Sequence, residues 1–314
     1  MKRGITVGIS LLLLLIATRP AQAQGIEWKI LNDEVKSLYH KGDYDRAVVL
    51  ARKALEIAEE ALEPDYPSVA ESLNNLALIY SDQGQYAQAE PLLKRALAIY
   101  EKALGPEHPS VATSLNHLAE LYRNQGQYAQ AEPLHKCSLA ILEKVLGPEH
   151  PSVATSLNNL AALYRDQGLY VQAEPLLKRS LAIKEKAFGP KHSSVATSLN
   201  NLAELYRTQA QYTQAEPLLK RALAIWGKAL GPEHPSVANS LNNLALLYFN
   251  QSQYAQAEPL YKRSFAIWEK ALGPDHPSVA TSLENLAALY RATKRDKEAE
   301  ELEQRAARIR ARTQ

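Results

Sequence analysis

The sequence predicts an all-α protein, a stack of about seven helix hairpins of the α-solenoid type, and three observations predict it. A 42-residue unit recurs, each copy opening with a variant of Leu-Gly-Pro-Glu-His-Pro-Ser-Val-Ala; clear copies begin at Leu104, Leu146, Leu230 and Leu272, and a looser one at Phe188. Inside each unit, two runs of apolar residues at spacings of three and four flank a small turn residue. The repeat also consumes the chain: 291 residues follow position 23, and seven units of 42 would take 294. A helix that is apolar along one stripe cannot bury it alone, so such units must stack on their neighbours.

Residues 105–146 serve as the type unit, and 147–188 differ from them at only ten positions. Gly105-Pro106 stops the preceding helix. Pro109 sits where a first helical turn tolerates proline. Val111, Ala112, Leu115, Leu118, Ala119 and Tyr122 then form one buried face. Gly126 turns the chain, and Tyr128 and Ala131 open a second helix carrying Leu134, Leu139, Ile141, Leu142 and Leu146. The hairpins fall at about 26–62, 63–104, 105–146, 147–188, 189–230, 231–272 and 273–312, a single domain over 24–314. The turn glycine recurs as Gly42, Gly84, Gly126 and Gly168 but becomes Ala210, Ser252 and Lys294, where a slightly altered or more strained turn is expected. The end units are degenerate: the opening helix (Ile30, Leu31, Val35, Leu38) lacks the motif, and 294–312 is rich in charge and reads as a solvated cap.

Met1-Lys2-Arg3, an apolar run from Ile5 to Ala17, and Ala21-Gln22-Ala23 read as a secretory signal peptide over 1–23, cleaved after Ala23. The apolar run is too short to span roughly 30 Å of hydrocarbon as a helix, so no stable membrane insertion is expected after cleavage. An exported protein, periplasmic or secreted, is the expectation. Cleavage removes Lys2, Arg3 and Arg19, leaving 33 basic against 34 acidic residues, which gives nucleic-acid binding no support. The only cysteine, Cys137, excludes an intrachain disulfide; it should be exposed, allowing at most weak self-association, and a Cys137-linked dimer is not expected.

The pattern Leu115-x2-Leu118-Ala119-x2-Tyr122, then Gly126, Tyr128 and Ala131, resembles the tetratricopeptide repeat. The 42-residue period, the Leu-Gly-Pro-Glu-His-Pro linker and the paired asparagines resemble its kinesin light chain variety, over roughly residues 26–312. The resemblance implies a right-handed superhelix and the binding of a protein or extended peptide in a concave groove lined by each unit's first helix. The signal peptide departs from a cytoplasmic motor subunit, and no microtubule role is carried over.

Mapped onto that groove, one asparagine row runs Asn74, Asn116, Asn158, Asn200, Asn242 and ends at Glu284; its neighbour runs Asn75, His117, Asn159, Asn201, Asn243, Asn285. An amide both donates and accepts, so a row of them can clamp an extended backbone without reading its sequence. One of the rows can instead tie adjacent helices together; the first is assigned to the groove. Selectivity should sit where copies disagree: Leu78, Glu120, Ala162, Glu204, Leu246 and Ala288, then Ser81, Arg123, Arg165, Arg207, Phe249 and Arg291. Arg123, Arg165 and Arg207 can receive acidic groups or a C-terminal carboxylate, unless Glu120 and Glu204, three residues earlier, neutralise two of them. Arg165 lacks such a glutamate, so its loss should weaken an acidic ligand most.

The histidines His108, His150, His192, His234 and His276 are expected to cap helices, since equivalent positions in stacked hairpins lie on the order of 10 Å apart and zinc needs its ligands within about 2 Å. Lys94-Arg95, Lys178-Arg179, Lys220-Arg221 and Lys262-Arg263 read as a solvated outer face. No nucleophile–base pair, phosphate loop or ligand cluster stands out, so no catalytic residue, cofactor or metal is expected. The expected function is a non-catalytic interaction scaffold; the alternative is a structural spacer or assembly platform of the cell envelope that uses its ends and convex face.

Overall fold

The computed structural model describes residues 25–39, 41–61 and 66–312; the signal-peptide reading therefore lies outside the described residues. Among them the chain forms fourteen helices and no strand: α1 (25–39), α2 (Tyr44–Ala61), α3 (Pro67–Asp82), α4 (Tyr86–Leu104), α5 (Pro109–Asn124), α6 (Tyr128–Leu146), α7 (Pro151–Asp166), α8 (Tyr170–Phe188), α9 (Ser193–Thr208), α10 (Tyr212–Leu230), α11 (Pro235–Asn250), α12 (Tyr254–Leu272), α13 (Pro277–Ala292) and α14 (Asp296–Arg312). Within each of two compact units, successive helices pack on one another as antiparallel neighbours, the local plan of an α-solenoid. One unit runs up to Ile141 and the other from Leu142, with the boundary inside α6. None of the described helices is long and apolar enough to cross a membrane.

The local chemistry sets each helix end. His108, His150, His192, His234 and His276 occupy the N-cap with extended backbone, and each Nδ1 accepts from the serine N–H two residues on, at 3.1–3.2 Å. The capping role expected of these histidines is therefore what they perform. First helices end in paired reverse bonds, Gln127 N–H to the Tyr122 carbonyl (2.8 Å) and Gly126 N–H to that of Arg123 (2.9 Å), which needs a left-handed residue at the turn. Gly126 supplies it at φ 72°, and Ala210, Ser252 and Lys294 adopt the same region at 56°, 59° and 61°. The turn is thus kept rather than altered, at a strain of about 1 kcal/mol per non-glycine residue.

In the second unit the backbones of neighbouring first helices (α7, α9, α11, α13) approach one another, whereas those of α8, α10, α12 and α14 do not. First helices are consequently buried on more than one side. In α5 the six expected core residues are buried, and so are Ser114, Asn116 and Leu121. A core cluster of the second unit runs through Val195, Leu199, Trp226, Leu241, Trp268 and Leu283 to Ile309. Here α14, read as a solvated cap, does more than cover: Ala299, Ala306 and Ile309 are buried, while its opposite face stays charged. In α1, which lacks the motif, Leu31, Val35 and Leu38 are buried and Ile30 is exposed.

Two rows of tyrosines recur at the 42-residue period and differ in burial. Tyr44, Tyr86, Tyr128, Tyr170, Tyr212 and Tyr254 open second helices and are half-buried. The row Tyr80 to Tyr290 is buried and latches consecutive hairpins: Tyr122, Tyr206 and Tyr248 each donate at 2.9 Å to a glutamate of the preceding second helix, Glu90, Glu174 and Glu216. The basic stripe pairs with acids at the surface, as in Arg179–Glu143 and Arg221–Glu185 at 2.6 Å; such solvated pairs contribute about 0–1 kcal/mol each. Cys137 is exposed.

Candidate functional site

The asparagine rows divide by depth. Asn74, Asn116, Asn158, Asn200 and Asn242 are each more than nine-tenths buried, whereas Asn75, Asn159, Asn201, Asn243 and Asn285 are partly exposed. The first row was assigned to the groove; the structure places it largely between helices, because a buried serine of the next hairpin stands opposite. Asn74 donates to Ser114 at 3.0 Å and Asn158 to Ser198 at 3.5 Å. The second row meets solvent. At the chain's two ends the rows close on each other: Asn75 donates to Asn32 at 2.8 Å and Asn285 to Asn242 at 2.9 Å. Asn32 thus begins the first row, a member absent from the row read above although it lies 42 residues before Asn74.

Between those ends the amide steps are open. The Oδ1 atoms of Asn158 and Asn200 are buried without a protein partner, and Asn201 and Asn243 have no side-chain hydrogen bond among the described residues. A buried acceptor left unpaired costs about 1–3 kcal/mol, so these two oxygens favour any ligand that brings a donor.

Hairpin 105–146 is filled differently. His135 is fully buried on α6, with Nδ1 2.9 Å from Asn116 Oδ1 and Nε2 3.2 Å from Glu120 Oε1. Arg123 holds the other oxygen of Glu120 at 2.8 Å. Burial pushes the Glu120 carboxyl up, but hydrogen bonds from His135 and Arg123 outweigh it and hold the group below the ordinary carboxylate value. Nearby His117 is pushed down by desolvation, which the charge of Glu120 only partly offsets. His117 stands in a row legible in the sequence, whereas the only local signal of His135 is that a leucine, Leu177, stands at the matching position of hairpin 147–188.

Hairpin 147–188 carries Ala162 and Leu177 where its predecessor has Glu120 and His135. Arg165, expected to be uncovered, is held by Glu204 of the next hairpin at 2.9 Å and by Asp166 at 3.0 Å. Of the two alternatives left open, Glu120 does neutralise Arg123, but Glu204 does not pair with Arg207, which has no ion pair among the described residues. Reach is the reason: a glutamate lies close to the arginine one hairpin back as well as to the one a turn ahead. A cavity of about 250 Å³ opens between α7 and α9, lined by Asn158, Ala161, Ala162, Arg165, Leu177, Asn201 and Glu204. Phe249 is partly buried, its ring tilted against Tyr254 at 5.6 Å, and Arg291 is taken by Glu303 at 2.8 Å. A larger, mostly apolar depression of about 570 Å³ between Pro190 and α10 contains none of the unpartnered buried atoms. Among the described residues no three His, Cys, Asp or Glu side chains are grouped to hold a metal ion.

The tetratricopeptide repeat matches this sequence at residues 30–102, 73–144, 110–186, 152–228, 194–249 and 236–312. Among curated proteins no sequence relative was found. Among solved structures, a candidate kinesin light chain of Podosopora anserina, described as having nearly identical TPR-like repeats, is 36% identical; the match covers 65% of this chain and 97% of that one, with a TM-score of 0.53. BtubC (BKLC) from P. vanneervenii is 25% identical over 73% of this chain and 91% of that one, TM-score 0.58. A Rap conjugation gene regulator of plasmid pLS20, in complex with the Phr* peptide, shares the fold at 14% identity over 94% of this chain and 77% of that one, TM-score 0.70.

Proposed function

The chain belongs to the tetratricopeptide repeat family, and from that premise we propose that it is a non-catalytic scaffold that holds an extended peptide or protein segment along the first helices of its second unit, outside the cytoplasm. The observation that carries the reading is the pair of open amide steps. At each step a peptide unit donates its N–H to the buried Oδ1 (Asn158 or Asn200) and accepts from the exposed amide (Asn201 or Asn243). It thereby takes the place of the inter-asparagine bond that closes the Asn242–Asn285 step. The Rap regulator solved with the Phr* peptide supports a peptide ligand for a chain of this fold. Residues 1–23 support the extracytoplasmic setting, which N-terminal sequencing of the exported protein should report as a chain beginning at Gln24.

A linear-peptide phage library panned on the mature chain tests the reading. Binders are expected to enrich on the wild type and to lose at least about tenfold in affinity when Asn201 and Asn243 are both changed to alanine, with an unchanged thermal melt. Enrichment that ignores the double substitution, or none at all, would favour a spacer that works through its ends and outer face.

A further inference from the structure

We propose that the cavity between α7 and α9 is a side-chain pocket for a primary ammonium group, the end of a lysine borne by the bound chain. This rests on the peptide-scaffold reading for its biological occupant but not for its chemistry. The pocket exists because Ala162 stands where the flanking hairpins carry Glu120 and Glu204. Its floor is apolar, Ala161 and Leu177 both being buried, and suits a stem of four methylenes. At its inner end the buried Oδ1 of Asn158 lacks a protein partner. At its wall Glu204 uses Oε2 on Arg165, which leaves Oε1 as a second acceptor. Both atoms ask for a donor.

Charge decides between a cation and an anion. Arg165 was the residue expected to receive an acidic ligand, yet Glu204 already occupies it. An incoming carboxylate would have to displace Glu204 from a 2.9 Å ion pair, whereas an ammonium adds to the arrangement without breaking it. A compact ammonium with three donors also matches two converging acceptors better than a neutral hydroxyl does.

The test uses the full mature chain with methyl-labelled alanine and leucine and three small probes: n-butylammonium, n-butanol and butyrate. Saturable shifts of the Ala161, Ala162 and Leu177 methyls are expected with n-butylammonium, about tenfold weaker binding with n-butanol, and none with butyrate. Ala162→Glu, which places in the cavity a residue the neighbouring hairpins already tolerate, should abolish the Leu177 shift, and Glu204→Gln should weaken it about tenfold. Butyrate binding as well as the amine, no saturable shift at Leu177 with any probe, or a shift that survives Ala162→Glu would each overturn the proposal. The two readings fail separately: amine binding without any peptide binder removes the scaffold reading and leaves the pocket, and peptide binding without amine binding does the reverse.

Discussion

Hairpins 105–146 and 147–188 differ at ten positions, share their helix bounds to the residue, and do opposite things with their interior. In the first, Glu120, His135, Asn116 and Arg123 close on one another, and Asn116 Oδ1 faces His135 Nδ1. In the second, Ala162 and Leu177 remove two members of that network, the arginine turns to the next hairpin, and a cavity opens over an unpaired amide oxygen. The lesson is that one backbone plan supports either a filled polar knot or an open pocket, the side chains at 120/162 and 135/177 being the ones that differ at the site. A third difference costs stability rather than shaping a site. Lys184 lies buried where hairpin 105–146 has Leu142, and burial pushes its ammonium below the ordinary lysine value.

The most damaging way to break the comparison is to empty the knot. His135→Ala should destabilise the protein by roughly 3–4 kcal/mol, because it leaves a hole and strips Asn116 and Glu120 of a partner together. Leu177→Ala, which loses packing alone, should cost roughly 2–3 kcal/mol. Urea unfolding of both variants measures the gap. The double change His135→Leu with Glu120→Ala, which copies the second hairpin into the first, should recover most of the loss; if it does not, the two interiors are not interchangeable.

A smaller effect of opposite sign is expected from Lys184→Leu, a gain of about 1–2 kcal/mol from removing a desolvated ammonium. The sign with pH follows from linkage: the charging penalty is complete below the folded-state pKa and is relieved as pH rises towards the ordinary value of 10.5. The advantage of the variant in thermal melts should therefore shrink in alkaline buffer. An advantage that stays constant up to that pH would mean that Lys184 carries its charge without strain.

The smallest effect sharpens the contrast at the paired position 117/159. His117 is held below its ordinary value of 6.5 by desolvation, so the unfolded chain binds more protons in the window beneath 6.5 and stability falls as pH drops through it. His117→Asn, the residue at Asn159, should flatten that slope by a fraction of a kcal/mol to about 1 kcal/mol, read from melts between neutral and mildly acidic pH. An unchanged slope would assign the acid sensitivity to another group.

Much of the fold was legible because its signals are local and repeated. A capping histidine precedes α5, α7, α9, α11 and α13, a proline opens all of these but α9, a left-handed turn ends each, and apolar spacing of three and four marks the face that packs. Even Ala210, Ser252 and Lys294 keep the turn, since the paired reverse bonds there are set by backbone geometry shared with the glycine copies. The site was legible only as a set of rows. That asparagines matter could be read, but Asn158 and Asn201 carry the same residue type in adjacent rows, and only packing reveals that one faces a serine and the other solvent.

By itself, then, the sequence determined the helices, their order, their caps and the hairpin repeat, because each depends on residues within a turn or two of one another. The tertiary structure decided which asparagine is spent between helices, why Glu204 answers Arg165 and not Arg207, and where an acceptor is left unpaired. Those outcomes depend on side chains about 40 residues apart that meet only when hairpins stack. Several partners there lie within reach of one another, and the choice among them is made by the whole packed neighbourhood.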